Sequence, residues 1–155
     1  MWAKYSPIVV TPIMMYITYF VLAAILLLAF VITGAGISLR KSFTATVWAM
    51  GPPAIVISLL SLLFIFVKNP RDLEIVPIYN VISNLGMLAD SATHPVLNSL
   101  LSSIDLFSLW TIILLSIGFA AMSEKKLTAG KAATPVVALW VVWILVKLGF
   151  WSLVG

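Results

Sequence analysis

An all-α polytopic membrane bundle is the fold class this sequence predicts, and three observations predict it. The 155 residues are 63% hydrophobic and only 9% charged, with mean hydropathy +1.18. A soluble domain has about 45–50% apolar and about 25% charged residues, so this chain cannot cover a water-facing surface and must be solvated by lipid. Its apolar residues fall into long runs, and its few charges fall into the connections between them. Four spans are expected, at about 8–32, 43–67, 106–122 and 135–153, with a short amphipathic surface helix at about 95–104. No polar or low-complexity stretch is long enough to hide a second domain, so residues 1–155 read as one membrane domain.

The first run, Ile8–Ile32, contains no charge. About 20 apolar residues rising 1.5 Å each cross roughly 30 Å of hydrocarbon, so this run spans even when tilted. It is also too long for the core of a cleavable signal peptide. Tyr16 and Tyr19 near its start suit an interfacial aromatic belt, and Gly34 and Gly36 stop it before Arg40-Lys41. The second run, Phe43–Val67, holds Gly51-Pro52-Pro53. Two prolines remove two backbone donors and crowd the preceding turn. In one reading the span kinks there, and neighbouring helices or hydroxyls meet the freed carbonyls. In the other the helix breaks and lines a binding cavity, as in transporters. No other span carries a matching break, which favours the kink.

Lys68–Ser103 is the longest polar connection. Within it, Val96, Leu97, Leu100, Leu101 and Ile104 form one helix-periodic stripe, with Asn98, Ser99, Ser102 and Ser103 opposite. The stretch is too short to span and reads as a helix lying at the bilayer surface. Ile75–Leu88 is also apolar, but Pro77 and Gly86 leave its form open. The third span, Leu106–Met122, is long enough if upright, with Ser103 or Asp105 as N-cap. Ser123–Lys131 is a tight basic connection. The fourth span follows with Thr134 as N-cap and Pro135 at the first helical position, where a missing N–H costs nothing.

Charge gives the orientation. Arg40 and Lys41 lie in the first short connection, and Lys125, Lys126 and Lys131 in the last, on one face of the membrane. The other face has Lys4, Lys68 and Arg71. Short basic loops stay cytoplasmic, so both chain ends are expected outside the cytoplasm. The net charge of +4 is topology information of this kind, and no nucleic-acid partner is expected.

Little here can carry chemistry. There is no cysteine, which excludes thiolate catalysis and Cys-based metal sites. His94 is the sole histidine, has only Asp90 near it in sequence, and reads as the turn before the surface helix. No metal, cofactor or catalytic residue is expected. Asp105 stands at the edge of hydrocarbon. It serves either as a helix cap favoured by the helix dipole or as an ion relay, and its edge position favours the cap. Lys147 is the one charge clearly inside a run. Its stem can snorkel toward the outer face, where an ion pair with Asp105 is expected. Trp110, Trp140, Trp143 and Trp151 suit membrane boundaries rather than a ligand cage. Ala120, Ala121, Gly130, Ala132 and Ala133 would let the third and fourth spans approach closely.

One pattern goes further. Asp105-x-Phe107-x-x-Trp110 runs on through Leu114 to Ile117-Gly118, then to a basic turn and an Ala-rich, Trp-containing final span. It resembles the end of the Yip-domain family, the Ypt/Rab-interacting membrane proteins and their bacterial relatives. Trp48-Ala-Met-Gly-Pro52-Pro53 is similar to that family's proline-bearing helix. The resemblance runs from about Ile8 onward and rests on loose hydrophobic patterns. It implies five spans after a cytoplasmic segment, so this chain is expected to lack the first span. It also implies a non-enzymatic scaffold or accessory subunit that binds other membrane proteins. A bacterial cytoplasmic membrane suits the short form, with the lipid bilayer, other membrane proteins or a second copy of the chain as partners. The alternative is a small-solute or ion transport component using the Gly51-Pro52-Pro53 break.

Overall fold

The computed structural model describes residues 2–67, 85–88 and 93–154, and among these it contains helices and no strand. The order is α1 (Trp2–Ile32), α2 (Leu39–Val67), a 3-10 turn (Leu85–Leu88), α3 (Pro95–Leu101), α4 (Leu106–Met122) and α5 (Ala129–Val154). Most of the long connection, with Lys68, Arg71, Asp72, Glu74 and Asp90, lies outside the described residues. Val10–Ile32, Leu39–Leu63 and Ala129–Phe150, with mean hydropathies of 2.6, 1.7 and 1.9, are long and apolar enough to cross a membrane. At 17 residues α4 is shorter. Its rise of about 25 Å sits at the lower limit for a span.

The four longer helices close a ring in which α2 touches α1 and α4, and α5 touches α4 and α1. Their core is concentrated at the end where the two short connections lie. Leu26 and Phe30 of α1 meet Ala45 and Ala49 of α2, Leu115 and Phe119 of α4, and Ala132 and Val136 of α5. Phe30 and Phe119 stack with centroids 4.3 Å apart and rings 16° from parallel. Small residues let the backbones close in. A Cβ placed on Gly118 would lie 3.4 Å from Ala45 Cβ, so α2 and α4 cross there at a separation that a methyl group would just fill. Away from this end the faces are uncovered, as with Leu59, Leu63 and Phe66.

The helix ends explain why the connections can be short. Gly34 takes φ +69, and its N–H donates to Val31 O while Ala35 N–H donates to Phe30 O. This pairing closes α1 with a left-handed residue that glycine adopts without steric cost. Lys126 is left-handed too, at φ 49, in the turn between α4 and α5. Three start sites differ from the sequence expectation, and the first is α1, which begins at Trp2 rather than Ile8. α2 begins at Leu39, not Phe43, so Arg40 and Lys41 occupy its first turn. α5 begins at Ala129, not Pro135: Thr128 caps it by accepting from Lys131 N at 3.4 Å, and Thr134 does not. Proline's fixed φ fits any helical position, and this early in a helix its missing donor frees only the carbonyl of exposed Lys131. The Thr-Pro signal therefore pointed six residues too late.

Candidate functional site

Asp105 is the N-cap of α4. Its Oδ1 accepts from Phe107 N at 2.8 Å and Ser108 N at 2.9 Å, and its Oδ2 accepts from Ser108 Oγ. Backbone donors that would otherwise be orphaned inside an apolar element are thereby met. Lys147 does reach toward the same end, but the expected ion pair does not form. Its Nζ donates to Ser103 Oγ at 3.0 Å and to Ser99 O at 3.3 Å. Among the described residues the ion pair present is Lys41–Glu124. Ser99 O, near the C-terminal end of α3, offers the ammonium the negative pole of a helix, and the Ser103 hydroxyl completes its coordination.

The helix that receives Lys147 is inverted relative to a soluble amphipathic helix. Val96 and Leu97 of α3 are exposed, while Ser99 is buried. Asn98 Nδ2 donates to Gly86 O at 2.8 Å, and the Ser102 and Ser103 hydroxyls both donate to Ser99 O. The polar face therefore holds α3 to α5 and to the 85–88 turn. Ser99, Ser103 and Asn98 were missed as partners because the polar side of a helix at the bilayer surface reads as facing water, whereas here it faces other parts of the protein. His94 precedes the helix without capping it through its side chain.

Two consequences can be measured. Asp105→Ala is expected to lower stability by about 1 kcal/mol, the usual cost of a lost cap. Combining it with Lys147→Met in a double-mutant cycle should give a coupling under about 0.5 kcal/mol; a coupling well above that would restore the ion pair. Ser99 Oγ is buried without a hydrogen-bond partner. Ser99→Ala should therefore leave the unfolding midpoint unchanged or raise stability by about 1 kcal/mol, since an unsatisfied hydroxyl is costly to bury.

The other residues singled out from the sequence lie apart. Pro52 and Pro53 sit inside α2, whose helix runs unbroken across them. The hydroxyls of Thr44, Thr46, Ser58 and Ser61 bond to Arg40, Ser42, Ala54 and Ile57 carbonyls. None of them meets the Trp48 or Ala49 carbonyls that the prolines leave free. Gly118 marks the α2–α4 crossing at the opposite end from Asp105. Trp110 is half-buried and Trp143 is 64% exposed, and neither pairs with another ring among the described residues. The family-pattern residues thus make separate structural contacts rather than one constellation.

The short-connection end holds a second polar group. Ser123 Oγ donates to Ala35 O at 2.8 Å, and Lys41 Nζ meets Glu124 Oε1 at 2.8 Å. The Lys41 ammonium, through its hydrogen bond and then its charge, holds the Glu124 carboxyl below the ordinary value of 4.5. A carboxylate depressed in the folded state contributes stability above its unfolded pKa and loses it as pH falls through the lower folded value. A small difference in melting midpoint between the native chain and Glu124→Gln is therefore expected at neutral pH. It should vanish only below pH 4.5 and shrink with added salt, as exposed pairs do.

Outside the ring, α5 presents a shallow, nearly flat groove formed by its own residues Gly130, Ala133, Thr134, Val137 and Ala138. The small residues near the last turn therefore divide. Ala132 is fully buried in the bundle, whereas Gly130 and Ala138 face outward. The sequence reading assigned Gly130, with Ala132 and Ala133, to packing within the bundle. Only a helix-by-helix register, set by the neighbours, separates the two faces. Comparisons with known protein families, with curated proteins and with solved structures find no match.

Proposed function

We propose that this chain is a non-catalytic integral membrane protein of Yip-domain type, acting as a scaffold or accessory subunit for other membrane proteins. In this reading α4 is a fourth span and both chain ends lie outside the cytoplasm of a bacterial cell. The outward groove on α5 carries the proposal. Small residues at i, i+4 and i+8 (Gly130, Thr134 and Ala138) let a second helix approach to backbone contact, where dispersion drives association in lipid. The bundle interior supports the same reading over transport. Its buried hydroxyls on Ser42, Thr46, Ser116 and Ser123 are all turned onto backbone carbonyls, and the core between them is apolar. A solute path needs polar groups free to exchange partners along its length.

Photo-crosslinkers placed at Thr134 and Ala138 in native membranes test the proposal. A reproducible protein adduct is expected, and it should be lost when Ala138→Phe fills the groove without lowering the unfolding midpoint. An adduct of twice the chain's mass would identify the partner as a second copy. Adducts to lipid alone would overturn the scaffold reading, and solute flux through reconstituted protein would favour transport.

A further inference from the structure

We propose that the end of the bundle formed by the two short connections binds the headgroups of anionic membrane phospholipids. This goes beyond the partner reading and does not depend on it. Arg40, Lys41, Lys125, Lys126 and Lys131 gather at this end, where Ser123 Oγ bonds to Ala35 O and Lys41 to Glu124. Glu124 is committed to Lys41, which neutralises that cation. Arg40, Lys125, Lys126 and Lys131 are all exposed, and among the described residues no carboxylate lies within ion-pair distance of them. An added Cβ on Gly34 would lie 3.5 Å from Lys125 Nζ, so that ammonium is held over the α1 end of the face.

Two helices finish and two start at this end, so the helix poles balance overall, and what matters is the local arrangement at the two starts. Both α2 and α5 start here, and neither has an acid in its first turn. A helix N-terminus carries roughly half a positive charge and ordinarily attracts acids. Here Arg40 and Lys41 occupy the first turn of one helix and Lys131 that of the other, so cations are stacked on two positive poles. An anion supplied from outside offsets that repulsion. The level of the charges selects the anion. Arg40 is the second residue of the apolar stretch Leu39–Leu63, and Lys131 the third of Ala129–Phe150. Cations at the ends of apolar helices lie at the depth of phospholipid phosphates, where each Lys or Arg favours anionic lipid by about 1 kcal/mol, or roughly fivefold.

The test is the melting midpoint of the protein in neutral detergent, with added phosphatidylglycerol, phosphatidylcholine or inorganic phosphate. Ligands that bind only the folded state raise the midpoint. Phosphatidylglycerol is expected to raise it, and the other two to leave it unmoved. The triple variant Lys125→Gln, Lys126→Gln, Lys131→Gln should bind phosphatidylglycerol on the order of 100-fold more weakly, while Lys147→Gln, at the opposite end, should bind it normally. High salt should abolish the increment in the unmodified protein, whether or not the triple variant folds. Equal stabilisation by both lipids, an increment that survives salt or the triple variant, or equal stabilisation by inorganic phosphate would each overturn the proposal.

Discussion

Phe119→Ala is expected to lower the unfolding free energy by about 3 kcal/mol, the low end of the usual range of roughly 3–5 for this change. Phe119 and its stacking partner Phe30 are both fully buried, and they join α1 to α4 across the middle of the ring. Truncation removes an aromatic contact and leaves a void that Leu26, Leu115 and Val136 can only partly fill, since each is anchored in its own helix. The low end applies because lipid is as apolar as the core. Separated helices in a bilayer lose no hydrophobic solvation, so the cost is packing and cavity rather than transfer from water. Phe66→Ala provides the contrast: Phe66 is 86% exposed on α2, and its truncation should change stability by less than about 0.5 kcal/mol. Equal costs at the two sites, read from unfolding in mixed detergent, would mean that the Phe30–Phe119 stack does not hold the bundle.

That asymmetry between two phenylalanines marks the limit of what the sequence made legible. Hydropathy located the helices, because any run long enough to cross hydrocarbon must satisfy its own backbone. The Asp105 cap was legible as well, since capping is a local act needing only the acid and the next three residues. Lys147 was legible in direction but not in partner: whether it met Asp105 or Ser103 depended on how α3 packs against α5, which no local pattern encodes. Which face of each helix is buried was not legible. Within a membrane span both faces are apolar, so the periodicity that betrays a core in water is absent. Ser99, expected to face water, instead faces the bundle, because periodicity shows that a helix has a polar side but not what that side meets. The α5 groove stayed hidden because Ala132 and Gly130 differ only in register.

Gly118→Leu is the change expected to act on the helix crossing itself, at a cost of about 3 kcal/mol, the upper part of the overpacking range. The position where a Cβ would stand is 3.4 Å from Ala45 Cβ, 3.6 Å from Ala45 O and 3.7 Å from Ala45 Cα. Alanine fits at ordinary contact distance, so Gly118→Ala should cost little. In a helix interior it regains some of what glycine loses in backbone entropy. Leucine's further carbons meet α2 backbone, which cannot step aside as a side chain would, so α2 and α4 must separate. The consequence travels, because Ala49, Leu115 and Phe119 share that seam. Adding Ala45→Gly should return part of the loss, since neighbours that clash are coupled rather than additive. Melting midpoints for the two single variants and the double variant decide the matter. If Gly118→Leu melts like the native chain, α2 and α4 do not meet at Gly118.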